Sequence, residues 1–101
     1  MFDKDGYPTD AILAKLNSLA NDYTARKETI KLIRDLWYWG EPWVTFTGSD
    51  LFLSTGGWSG NESVVGALRD TMFWWLYWQK SERGGHYHFS GWKEEDDNGD
   101  V

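Results

Sequence analysis

The chain has 101 residues, no cysteine and a formal net charge of −6. Its length suits one domain with one core, and the lack of cysteine excludes a disulfide framework, a zinc-thiolate or iron–sulfur site and thiolate catalysis. The last nine residues, 93–101, hold five acids and one base, so −4 of the charge lies there and −2 in the body; a body this short of cation excess disfavours duplex nucleic acid as a partner.

The N-terminal residues Met1-Phe2-Asp3-Lys4-Asp5 carry neither the basic region nor the apolar stretch of an export signal, and no segment reaches the length of a membrane span. The expectation is a cytoplasmic protein that engages no membrane. Thr9 is placed to cap a helix over about residues 10–20, with Ile12, Leu13, Leu16 and Leu19 on one stripe. Thr24 is placed to cap a second helix whose stripe is Ile30, Ile33, Leu36 and Trp37, stopped by Gly40 and Pro42.

From Pro42 the pattern changes. Trp43 to Thr47 and Leu51 to Ser54 are rich in β-branched and aromatic residues and flank Gly48-Ser49-Asp50, which predicts a β-hairpin. The glycine-rich turn Thr55-Gly56-Gly57-Trp58 follows, with Ser59 and Glu62 at capping-box spacing. A long aromatic-rich helix is expected from Ser63 to about Lys80, broken by Arg83-Gly84-Gly85. His86 to Phe89 alternates as a last strand, antiparallel to the hairpin. The fold expected is therefore α+β: two helices, a hairpin, a long helix and a final strand completing a small antiparallel sheet. Residues 1–92 form the domain and residues 93–101 a disordered acidic tail.

Three features point toward chemistry. The strand, glycine turn and helix around Gly56, Gly57, Trp58 and Ser59 are the context in which backbone amides hold phosphate, with Arg83 adding charge and Trp58 stacking on a base. The P-loop lysine is absent, however, and Glu62 sets negative charge where a phosphate would sit. His86 and His88 share a strand face, as a metal pair or an acid–base pair would, but two ligands make no site, and Asp50, Glu62 and Asp70 qualify as a third by residue type alone. No metal or other cofactor is therefore assigned. Eighteen aromatic residues, eight of them tryptophan, exceed what a small core readily hides. Trp58 and Trp92 are expected as exposed anchors for a protein partner, with Trp37, Trp39 and Trp43 as further candidates. The acidic residues Glu94, Glu95, Asp96 and Asp97 are expected to add electrostatic attraction.

The string Leu53-Ser54-Thr55-Gly56-Gly57-Trp58-Ser59-Gly60-Asn61-Glu62, the stretch Phe73 to Trp78 and Arg83-Gly84-Gly85-His86-Tyr87 together resemble small proteins encoded by bacteriophages and prophages. The resemblance spans roughly residues 30 to 90 and implies no catalytic residue. It implies a setting, the bacterial host cytoplasm, and a job common there: blocking a host nuclease or defence complex. The functional expectation is thus a non-catalytic inhibitor or adaptor that binds a host protein, with self-association an open possibility. The alternatives are a nucleotide-binding sponge using the glycine turn and a small hydrolase or metalloenzyme using His86 and His88.

Overall fold

A computed structural model describes residues 1–92. The expected acidic tail, with Glu94, Glu95, Asp96 and Asp97, lies outside the described residues. The architecture is α+β, and the described residues form four α-helices and a four-stranded antiparallel sheet of order β1-β2-β4-β3.

Helix α1 (Asp10–Ala20) begins where expected, because the Thr9 hydroxyl accepts the Ile12 amide at 3.3 Å and Asp10 sits favourably in the first turn. Helix α2 (Arg26–Leu36) differs at its start. Thr24 does not cap it: the cap position of α2 is Ala25, with no side-chain capping bond, and a 3₁₀ turn over Tyr23–Ala25 precedes the helix. Asp22 caps that turn, its carboxylate accepting both the Thr24 amide and the Thr24 hydroxyl, so the hydroxyl is engaged there. Ile30, Ile33, Leu36 and Trp37 are buried as one stripe.

Strands β1 (Val44–Phe46) and β2 (Asp50–Ser54) form the expected hairpin, pairing Val44 with Leu53 and Phe46 with Leu51. Helix α3 (Ser59–Leu68) starts without a capping box, contrary to the Ser59/Glu62 spacing: the cap position is Trp58, whose side chain makes no capping bond, and Ser59 is already helical.

The expected helix from Ser63 to Lys80 is three elements instead. After α3 the chain turns through Asp70 at φ 62°. It restarts as α4 (Met72–Tyr77), capped by the Thr71 hydroxyl, which accepts the Trp74 amide at 3.3 Å. It then extends as β3 (Trp78–Glu82). A helix that is apolar all round has no single side to bury. Breaking it puts Phe73 in the core and leaves Trp74 and Tyr77 half-buried against it. Arg83-Gly84-Gly85 is consequently a hairpin turn, with φ 94° and 81° at its glycines, and β4 (His86–Ser90) runs between β2 and β3.

The helices pack on one face of the sheet, where Val44, Leu51, Leu53 and Phe89 join Leu16, Ile33, Leu36, Val64, Leu68 and Phe73 in one core cluster. The other face carries the cross-strand row Thr45, Phe52, His88, Lys80 and the neighbouring Ser54, His86, Glu82.

Candidate functional site

The β2–α3 connection is a tight turn in which the Trp58 amide donates to the Thr55 carbonyl at 3.1 Å, with Gly56 at φ 63° and Gly57 at φ 77° between them. Two consecutive residues in the left-handed region require glycine here. Asn61, fully buried in the first turns of α3, fastens this connection to the α2–β1 loop: its Nδ2 donates to the Thr55 carbonyl at 3.2 Å and its Oδ1 accepts the Tyr38 amide at 2.9 Å. From the other side the Trp37 indole donates to the Ser54 carbonyl at 3.1 Å. The N-terminal arm is shaped by Asp3, whose carboxylate accepts the amides of Asp5 and Tyr7.

These three segments bring five aromatic rings into a continuous ladder. Tyr7 stacks on Trp58 at 4.9 Å between centroids and 12° between planes, and Trp58 meets Tyr38 at 5.0 Å. Tyr38 touches Trp39 edge-on at 5.1 Å, and Trp39 meets Trp43 at 5.2 Å. Gly56 lies under the end of the ladder, where any β-carbon would meet the Trp39 ring, and Gly60 lies in the same way under the Trp58 indole. The rings are held in order yet remain accessible: Tyr7 is 37%, Tyr38 53%, Trp39 36% and Trp43 38% exposed, with Trp58 half-buried among them. Exposed carboxylates flank them in the chain: Asp3 and Asp5 before Tyr7, Glu41 before Trp43 and Glu62 after Trp58. Beside the loop opens a groove of about 480 Å³ lined by Lys31, Arg34, Asp35, Gly40, Glu41, Val44 and Phe46.

The other residues nominated from sequence fall in different places. Trp92 is no exposed anchor: it is 6% exposed, its indole donates to the Gly48 carbonyl at 2.8 Å, Tyr77 packs edge-on at 5.3 Å and the Arg26 guanidinium lies 4.9 Å over the ring. Trp37 is buried too. The phosphate reading of the glycine turn meets internal competition, because the Trp58 amide is spent on Thr55 and the Gly57 amide faces the Thr55 hydroxyl at 3.4 Å. Tyr7 covers a face of Trp58 that a base would use. Ser59 is exposed in the first turn of α3. The Arg83-Gly84-Gly85 turn does come close, since the Gly85 carbonyl accepts the Thr55 amide at 3.0 Å.

His86 and His88 share the open sheet face as expected, but each already has a partner. Ser54 Oγ lies 2.7 Å from His86 Nδ1, and His88 Nε2 lies 2.9 Å from Asp50 Oδ1 with Phe52 stacked on its ring at 4.4 Å. Among the described residues no three His, Asp or Glu side chains are grouped to hold a metal ion. The Ser54–His86 pair has the contact a nucleophile and its base need, and it lies exposed on a flat sheet surface.

The His88 hydrogen bond lowers the Asp50 carboxyl below its ordinary value, helped by Ser49, and hydrogen bonds from Thr24 do the same for Asp22. Carboxylates depressed in the folded state contribute stability that is present above the unfolded value of 3.8 and lost as pH falls through the lower folded one. Thermal melts are expected to show Tm falling as pH drops below about 4, less steeply in Asp50→Asn and Asp22→Asn. An unchanged slope in both variants would remove these two groups as the cause.

Compared with family models, curated proteins and solved structures, the chain matches none.

Proposed function

We propose that this protein is a non-catalytic binding protein, an inhibitor or adaptor, that docks on a partner protein through the ladder Tyr7, Trp58, Tyr38, Trp39 and Trp43. The observation that carries the reading is the ordered exposure of these rings. Tyrosine and tryptophan presented on a fixed surface lose little entropy on binding and supply large contact area, the combination found at interface hot spots. Backbone hydrogen bonds through Asn61 and close packing on Gly56 and Gly60 pre-organise the surface, which lowers the cost of association. The adjoining groove at Arg34 and Glu41 accepts a projecting side chain, and Trp58 acts chiefly as the ring that joins Tyr7 to Tyr38.

The resemblance to phage-encoded proteins makes a host protein of the bacterial cytoplasm the partner of choice. The residues Asp3, Asp5, Glu41 and Glu62, with Glu94, Glu95, Asp96 and Asp97 beyond them, suit a basic surface on that partner.

The test is capture from a bacterial lysate by the native protein and by Trp39→Ala/Trp43→Ala, followed by titration of the identified partner in purified form. The double variant is expected to bind at least about thirtyfold more weakly while keeping a native far-ultraviolet circular dichroism spectrum, the loss typical of a hot spot. Equal affinity in both proteins would overturn the ladder as the docking surface.

A further inference from the structure

Strand β3 is a sheet edge. Among the described residues it pairs only with β4, and all five of its residues, Trp78 to Glu82, are exposed. The segment leading into it is exposed and apolar as well: Met72 is 43%, Trp75 83%, Leu76 51% and Trp78 43% accessible. Unpaired edges invite another strand, and proteins usually blunt them with bulges and charge. Here the irregularity falls between Trp78 and Lys80, at Gln79, which leaves Lys80, Ser81 and Glu82 in regular register opposite His88, Tyr87 and His86. The bulge turns Trp78 to the same face as Ser81, where its indole donates to the Ser81 hydroxyl at 2.8 Å. Lys80 and Glu82 share the opposite face and lie 3.5 Å apart, so the edge carries one charge of each sign.

That pattern is self-complementary. Two copies of β3 related by a two-fold axis perpendicular to the sheet run antiparallel, and opposed residues must point to the same face, so each register has a residue facing itself. Centring on Lys80 sets ammonium against ammonium, and centring on Glu82 sets carboxylate against carboxylate. Centring on Gln79 puts the axis on the bulge. Centring on Ser81 overlaps all three regular residues and places Lys80 opposite Glu82 twice.

We propose that β3 is the interface of a homodimer, pairing with a second copy of itself about Ser81 to make one continuous eight-stranded sheet. The backbone edge supplies hydrogen bonds, and the two Lys80–Glu82 pairs select the register. Trp78, 43% exposed at the start of the strand, supplies apolar area. Each buried indole contributes on the order of 150–250 Å² toward the roughly 800 Å² per partner of a stable interface. This surface is separate from the aromatic ladder, so the dimer stands or falls independently of the partner protein.

The absence of native cysteine allows a direct test by disulfide trapping of the full chain. Opposed residues in an antiparallel pair have Cα atoms about 4.5–5.5 Å apart, within the range a disulfide spans, whereas the diagonal positions lie about 7–8 Å apart. Under mild oxidation Ser81→Cys is expected to form a covalent dimer readily. Lys80→Cys and Glu82→Cys are expected to link poorly alone and to link to each other when mixed. Sedimentation of the uncross-linked protein checks the energetics: Lys80→Glu and Glu82→Lys are each expected to weaken the dimer about tenfold, and the double exchange to restore it. A protein that stays monomeric at high micromolar concentration overturns the proposal and leaves the edge to a strand from another chain. Self-linking of Lys80→Cys, or a dimer indifferent to both single charge reversals, overturns the Ser81 register.

Discussion

Replacing Trp92 with alanine is expected to lower the free energy of unfolding by about 3–5 kcal/mol, the range for deleting a large buried aromatic. Total stabilities of small domains are only about 5–15 kcal/mol, so this one change should bring the protein near its unfolding threshold. The cause is the number of elements that meet at the ring. Trp92 follows β4, yet its indole bonds to the β1–β2 turn at Gly48, its edge meets Tyr77 at the end of α4 and its face lies under the buried Arg26 of α2. Removing it leaves a cavity at the end of the sheet and strips the Arg26 guanidinium of its aromatic cover. Trp92→Phe keeps most of the volume and loses the bond to Gly48, which is expected to cost roughly 1 kcal/mol beyond the packing change. Trp75→Ala, at a ring 83% exposed, should by contrast stay within about 0.5 kcal/mol. Urea titrations of the three variants give the ordering, and a Trp92→Ala protein as stable as Trp75→Ala would refute this account of the core.

Helix α1, the buried stripe of α2 and the β1–β2 hairpin were legible because each buries a face with one period, 3.6 or 2, and ends at a glycine, a proline or an Asx cap. Segment 63–80 was not legible in that way. Its apolar residues satisfy a helical template throughout, so the break at Asp70 has no hydrophobic signal, and the cap at Thr71 becomes visible only when the helix is already known to stop. Strand β3 was missed for the opposite reason: Gln79, Lys80, Ser81 and Glu82 alternate nothing apolar, since an exposed edge strand buries neither face. At the site, composition points to Trp39 and Trp43, and the glycine setting to Trp58. Tyr7 and Tyr38 carry no such signal, because their contacts with Trp58 join residues far apart in sequence. The one local hint was density: Trp37-Tyr38-Trp39-Gly40-Glu41-Pro42-Trp43 concentrates aromatics in a stretch whose glycine and proline mark it as a loop. A loop cannot bury four large rings, so at least some had to face solvent.

Asn61→Ala is expected to uncouple the ladder from the fold while leaving the sheet in place. Asn61 is a fully buried amide side chain that holds both loops, through the Thr55 carbonyl and the Tyr38 amide. Each hydrogen bond lost contributes about 0.5–1.5 kcal/mol net. The Thr55 carbonyl keeps the Trp58 amide and loses only its second donor, and the Tyr38 amide lies in an exposed loop where water can replace Oδ1. A net loss of about 1–2 kcal/mol is therefore expected, smaller than for Trp92→Ala. The distinguishing effect is on order. The couplings between Tyr7, Trp58 and Tyr38 depend on the two loops being held together, so the near-ultraviolet circular dichroism should fall while the far-ultraviolet spectrum persists, and partner affinity should fall with it. Asn61→Asp separates the two bonds: it keeps an acceptor for Tyr38 but sets a carboxylate oxygen against the Thr55 carbonyl, and at neutral pH it should be at least as destabilising as alanine. If Asn61→Ala unfolds at lower denaturant yet keeps its near-ultraviolet signal and its partner, the loops are ordered by ring packing alone, and the rigidity of the site belongs to the aromatic residues themselves.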